Sequence, residues 1–187
     1  DALDSFLAEL VPRVSRMRVG DGSVDGVAVG PLIDERAVDK VDRQVQDAVG
    51  KGAELLCGGE RLLDNGLDAG TFYAPTVLSN VATDMSIYRE ETFGPVAAVV
   101  PYDDSDDVIA MANDTNYGLA AYMYTNNLAT ALRTFEALNF GIIGINDINP
   151  TAAAVPFGGM KESGLGREGG REGIAEYLDT KVGGFAI

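Results

Sequence analysis

The chain contains no histidine and a single cysteine, Cys57. Without histidine, no Ser-His or Cys-His nucleophile pair can exist within it. The usual zinc sites are excluded as well, because only carboxylates remain alongside one thiol. A lone cysteine cannot close an intrachain disulfide, which fits a reducing compartment and predicts a cytoplasmic protein. Basic residues are scarce: 14 Lys and Arg stand against 29 Asp and Glu, for a net charge of -15. That charge repels phosphate backbones and argues against a nucleic-acid partner. No apolar run is long enough to span a bilayer, and no basic-then-apolar leader opens the chain, so no membrane partner is expected. The first residue is Asp1 rather than Met, which suggests a cut or incomplete chain.

What is present suits one domain with a short appendage. The 187 residues are 46% hydrophobic, enough for a substantial core. The spacing of Leu3, Phe6, Leu7, Leu10, Val11 and Val14 predicts an amphipathic helix, with a kink or early end at Pro12. A Gly-rich loop follows. Val38, Val41, Val45, Ala48 and Val49 predict a second helix, stopped by Gly50 or Gly52. Ala53 to Cys57 reads as a strand. "TFYAPTVL" reads as another, with Pro75 suggesting an edge or irregular position. "VAAVVPY" is a continuous apolar run, as expected of a strand buried on both faces. Beyond it, helix and strand patterns alternate through "DSDDVIAMAND", "LAAYMYT", "LATALRTFEALN" and "GIIGIN". Alternation of this kind predicts an α/β fold with a doubly wound, mostly parallel sheet. "REGIAEYLDT" reads as a last helix, and "KVGGFAI" as a strand apart from the rest.

Three stretches bear on chemistry. Gly164, Gly166 and Gly169 spell G-x-G-x-x-G, but a loop precedes them and the chain nearly ends after them. The context required for dinucleotide binding fails, and a turn into a helix is the better reading. "REETFGPV" places Glu90, Glu91 and Phe93 just before an apolar strand, where ligands gather in open α/β sheets. A carboxylate there can accept hydrogen bonds from ribose hydroxyls, and a ring beside it can pack on a flat heterocycle. Residue types alone favour the plainer alternative, a solvated acidic pair and a core phenylalanine. The loop "INDINPTAAAVPFGGMKESGLGRE" carries Asn146, Asn149, Thr151 and Phe157 among small residues. Its apolar content points to an ordered pocket wall or a packed surface loop.

"EETFGPV", "NDTNYGLAAYMYT" and "PFGGMKESGLGREGG", in this order and spacing, closely resemble the aldehyde dehydrogenase superfamily. "GPLIDERAV" and "GAELLCGG" fit it too, so the likeness covers essentially the whole chain. "GREGGREGIAEYLDTK" and "PTAAAVPFGG" are most similar to succinate-semialdehyde dehydrogenases. The resemblance implies oxidation of an aldehyde to an acid with NAD or NADP: a cysteine thiolate attacks, hydride leaves to the nicotinamide, and a glutamate base helps water release the acid. It implies that Glu91 binds the nicotinamide ribose and that Phe93 packs near the nicotinamide. Phe157 becomes a substrate-pocket aromatic. Thr151 becomes the hydroxyl near the substrate carboxylate, where serine is more usual. The ending becomes a strand that joins the oligomerisation sheet of a neighbouring subunit. The implied layout is a partial catalytic domain over residues 1–177 and an oligomerisation strand over 178–187.

The family's nucleophile segment, its glutamate base and its substrate arginine have no counterpart in this chain. The resemblance therefore implies the C-terminal portion of such an enzyme, inactive alone. Cys57 follows an apolar run, precedes Gly58 and Gly59, and has no histidine to activate it, so it reads as a small structural side chain. The alternative is a non-enzymatic oligomerisation or interaction module derived from the same fold. A relative acting on acyl phosphates is disfavoured by "EETFGP" and "FGGMKESGLGRE".

Overall fold

The computed structural model describes residues 2–64 and 66–186. The chain divides into two compact units, residues 1–103 and 104–187.

The first unit opens with helix α1 (Ala2–Val14), which packs against strands β1 (Glu54–Cys57) and β2 (Thr76–Ser79). Pro12 does not end it early: helical structure runs on to Val14. Phe6, assigned from spacing to the apolar face, is exposed.

Helix α2 (Glu35–Gly50) is the unit's main support. The Asp34 carboxylate caps it by accepting the Ala37 N–H at 2.9 Å, satisfying one of the orphan donors of the first turn. At the other end, Gly52 lies at φ 104. The Gly52 N–H donates to Val49 C=O and the Ala53 N–H to Ala48 C=O, at 3.0 and 2.9 Å. This Schellman arrangement needs a residue free of a Cβ at the left-handed position. Val38, Val41, Val45 and Ala48 are buried as their spacing predicts, whereas Val49 is exposed. Each buried valine removes apolar surface worth roughly 1.5–3 kcal/mol. They pack with Ala53, Tyr73, Leu78, Val81, Met85 and Ile87.

β2 lies between β1 and strand β3 (Val96–Ala98), antiparallel to the first and parallel to the second. All four of its residues are buried. The edge position suggested by Pro75 is thus corrected, because the proline precedes the strand and removes no hydrogen bond from its ladder. β3 is not buried on both faces: Val96 and Ala97 are half-buried and Ala98 is exposed. The short helix α3 (Ser86–Arg89) sits against α2. The Asp47 carboxylate accepts the Ser86 N–H at 2.7 Å.

The second unit holds α4 (Val108–Asn113), β4 (Tyr117–Gly118), β5 (Ala120–Met123), α5 (Leu128–Ala137), β6 (Ile142–Ile145), β7 (Met160–Lys161) and α6 (Gly170–Ala175). Asp107 and Asn127 cap α4 and α5 through their side chains. β5 and β6 pair in parallel, joined by α5, while β4 and β7 pair antiparallel. Among the described residues the fold is therefore α/β with mixed pairing, distributed over three sheets. The single mostly parallel sheet expected from the alternation is met only in the β2–β3 and β5–β6 pairs. Within this unit the buried apolar side chains among the described residues are Ala131 and Ile142. Residues 179–186 adopt no strand, and Ile187 of the expected terminal strand lies outside the described residues.

Candidate functional site

The turn between α3 and β3 carries Glu91 and Phe93. Both are exposed, Phe93 to 79%. The core phenylalanine favoured by residue type is therefore wrong. An aromatic ring left so open on an ordered turn suits contact with a ligand better than packing. Phe93 borders a cleft of ≈ 430 Å³ lined by Val29, Gly30, Leu32, Thr92 and Pro95. The cleft is lined mainly by apolar groups, with the Glu91 carboxylate two residues from the ring. A sugar diol needs an acceptor and a flat heterocycle needs an apolar surface. Glu91 and Phe93 carry one group of each kind, although Glu91 is not among the residues that line the cleft.

The turn is held from several sides. Thr76 N–H donates to Pro95 C=O at 2.8 Å, tying its end to β2. A Cβ on Gly94 would stand 2.6 Å from a methyl of Val41, so only glycine lets the turn lie this close to α2. Arg43 pairs with Glu90 at 3.6 Å. Gln44 is fully buried on α2. Its amide nitrogen donates to Glu91 C=O at 3.4 Å, and its amide oxygen accepts from the Thr92 hydroxyl at 3.0 Å. The sequence reading missed Gln44. Its spacing from Val41, Val45 and Ala48 was the available signal, since a polar residue on the apolar face of a helix needs a partner.

Phe157 and Thr151 lie in the second unit. Phe157 is anchored by a two-way backbone pair with Glu168, both bonds at 2.7 Å. Its ring, 40% exposed, lines a cavity of ≈ 400 Å³ with Leu119, Ser163 and Leu165. The Arg167 guanidinium donates to the carbonyls of Gly159 and Gly166 at 2.8 and 2.7 Å, which shapes the glycine-rich side. Thr151 is exposed, and its hydroxyl donates to the Asn149 side chain at 2.9 Å. Asn146, at φ 54, donates to and accepts from the Thr125 backbone at 2.8 and 2.9 Å. It prolongs the β5–β6 pairing with a side-chain amide. Gly164, Gly166 and Gly169 all have positive φ and form turns before the short α6. They do not follow a strand into a long helix as a dinucleotide fingerprint would.

Cys57 is half-buried, with its sulfur 3.9 Å from Pro75 C=O. Among the described residues, no group of three His, Cys, Asp or Glu is placed to hold a metal, and no helix is long and apolar enough to cross a membrane.

The family model described as "Aldehyde dehydrogenase family" matches residues 1–182. A probable succinate-semialdehyde dehydrogenase [NADP(+)] of Sinorhizobium fredii is 47% identical over 183 residues, covering 96% of this chain and 36% of the relative. An NADP-dependent enzyme of Escherichia coli superposes with a TM-score of 0.88 at 46% identity, over 95% of this chain and 36% of that one. An aldehyde dehydrogenase of Mycobacterium tuberculosis, solved with NAD+, gives 0.85 at 39% identity, over 93% and 35%. The chain thus spans about a third of the length of the curated relatives it matches. On the family match and these identities, the chain belongs to the aldehyde dehydrogenase family.

Proposed function

We propose that this chain is the C-terminal part of an NAD(P)-dependent aldehyde dehydrogenase that oxidises succinate semialdehyde to the acid. The observation that carries the reading is the anchored turn, whose Phe93 ring borders an apolar cleft and whose Glu91, two residues earlier, is exposed. When bound, the nicotinamide supplies the hydride acceptor for aldehyde oxidation. Glu91 accepts hydrogen bonds from the ribose hydroxyls, and Phe93 limits the tilt of the ring beside it. Phe157 forms an apolar wall for the substrate, and Thr151 offers a hydroxyl to its carboxylate end. The nucleophilic cysteine, the glutamate base and the substrate arginine are supplied from outside these residues, so the chain alone is inactive.

Two observations support membership of a larger assembly. The second unit leaves Tyr122, Leu128, Leu132 and Phe135 exposed. Its two-stranded sheets are marginal without further cover. In this reading residues 1–177 are catalytic-domain structure, and the segment 178–187, which forms no strand over its described residues, becomes one by pairing with a neighbouring subunit of a cytoplasmic homo-oligomer. Val182 and Phe185 are more than nine-tenths exposed, at 91% and 92%, which favours a partner for this segment.

The test compares the 187-residue chain with the product of the reading frame followed upstream of Asp1. Each is assayed for NAD+ or NADP+ reduction with succinate semialdehyde. Activity in the longer protein alone supports the reading. Turnover by the short chain, or by neither, overturns it.

A further inference from the structure

Gln44 occupies a costly position. It is fully buried on the apolar face of α2, between Val41, Val45 and Ala48. A leucine or methionine would suit that surface better, because burying a primary amide is unfavourable unless both its ends are bonded. Both ends are bonded, and to adjacent residues of one turn. The partners are Glu91 C=O and the Thr92 hydroxyl, 47 and 48 residues away in sequence. Chemistry settles the orientation of the amide. Glu91 C=O can only accept, so the nitrogen faces it, and the amide oxygen then receives the Thr92 hydroxyl proton.

The peptide that Gln44 grips lies between the carboxylate and the ring of the site. Glu91 is exposed, so the position of its carboxylate depends on where its backbone is held. Gly94 against Val41 and Glu90 against Arg43 brace the two sides of the turn. Gln44 bonds the link in between.

We infer that Gln44 is a positioning residue for the nicotinamide ribose, acting through Glu91 and Thr92, and that it does not contribute to recognition of the aldehyde. This rests on the role proposed for Glu91. In the active full-length enzyme, Gln44→Met keeps the length and apolar fit of the side chain and deletes both bonds. Loss of the pair raises the KM for NAD+ or NADP+ about tenfold, the equivalent of a little over one kcal/mol. The KM for succinate semialdehyde stays within about twofold, a difference too small to count as a lost hydrogen bond. Thr92→Val deletes one bond and raises the dinucleotide KM about threefold. The double variant is no worse than Gln44→Met, because the two residues form one unit.

A dinucleotide KM unchanged by Gln44→Met, an equal rise in both KM values, or additive effects in the double variant would each overturn the inference. If Gln44→Met fails to fold, an unchanged dinucleotide KM in Thr92→Val overturns it. An unsubstituted enzyme that reduces neither dinucleotide refutes the proposed function itself, and the role of Gln44 falls with it.

Discussion

Gly58 is the position where substitution by one methyl group is expected to do most damage. Its φ is 72, and a Cβ would stand 2.3 Å from Pro75 C=O and 2.6 Å from the Thr76 hydroxyl. Neither neighbour can move cheaply. Thr76 is buried at the start of the central strand β2, and its N–H is bonded to Pro95. Its hydroxyl also accepts the Gly59 N–H at 2.8 Å and donates to Ala74 C=O at 2.7 Å. Gly58→Ala therefore incurs left-handed backbone strain of about 1–2 kcal/mol, and a steric displacement of about 1–3 kcal/mol. Together these give about 3 kcal/mol, or a fall in Tm of roughly 6–12 °C for a protein of this size. Two controls separate the causes. Gly66 has φ 82 with open space around it, so Gly66→Ala tests the strain alone; Gly22 has neither burden. Urea unfolding of the three purified variants should rank them Gly58→Ala, Gly66→Ala, Gly22→Ala in order of loss. If Gly58→Ala lies within about 0.5 kcal/mol of Gly66→Ala, the limit for independent small effects, the packing argument against Pro75 is refuted.

Asp47 provides a pH test. The Ser86 N–H, and after it Lys51, hold its carboxyl down at about 2. A carboxyl depressed on folding contributes stability that is complete above its unfolded pKa of about 4. That contribution is lost as pH falls through about 2. The gap in urea midpoint between the protein and its Asp47→Asn variant should be widest above pH 4 and should close towards pH 2. A gap independent of pH would count against the ionised carboxylate as its source. In the longer protein proposed above, Cys57→Ser should leave NAD+ or NADP+ reduction intact and change stability by less than about 1 kcal/mol. A loss of turnover at normal Tm would restore the thiol as a chemical group.

Local physics made much of the fold readable from residues. The apolar spacing and a glycine stop placed α2, and the structure chose Gly52 over Gly50 and added the Asp34 cap; periodicity and caps are short-range properties. The caps of α4 and α5 are likewise adjacent to their helices. The strand β2 was found within "TFYAPTVL", but its suggested edge position failed, because a proline looks the same whether it interrupts a ladder or precedes one. The core reading of Phe93 failed for a related reason: an apolar side chain carries no mark of whether the fold buries it or leaves it exposed. β7 is two residues long, too short for a periodic signal.

From the sequence alone came the absence of a histidine-activated nucleophile, the α/β class, and the family through its ordered motifs. The proposal of Glu91, Phe93, Thr151 and Phe157 as site residues also came from it, each through a motif. What they depend on required tertiary structure. Gln44 reaches a turn 47 residues away, and Gly58 is confined by a carbonyl on a neighbouring strand. Such constraints arise when segments distant in the chain are brought into contact, and composition or local spacing carries no record of that contact.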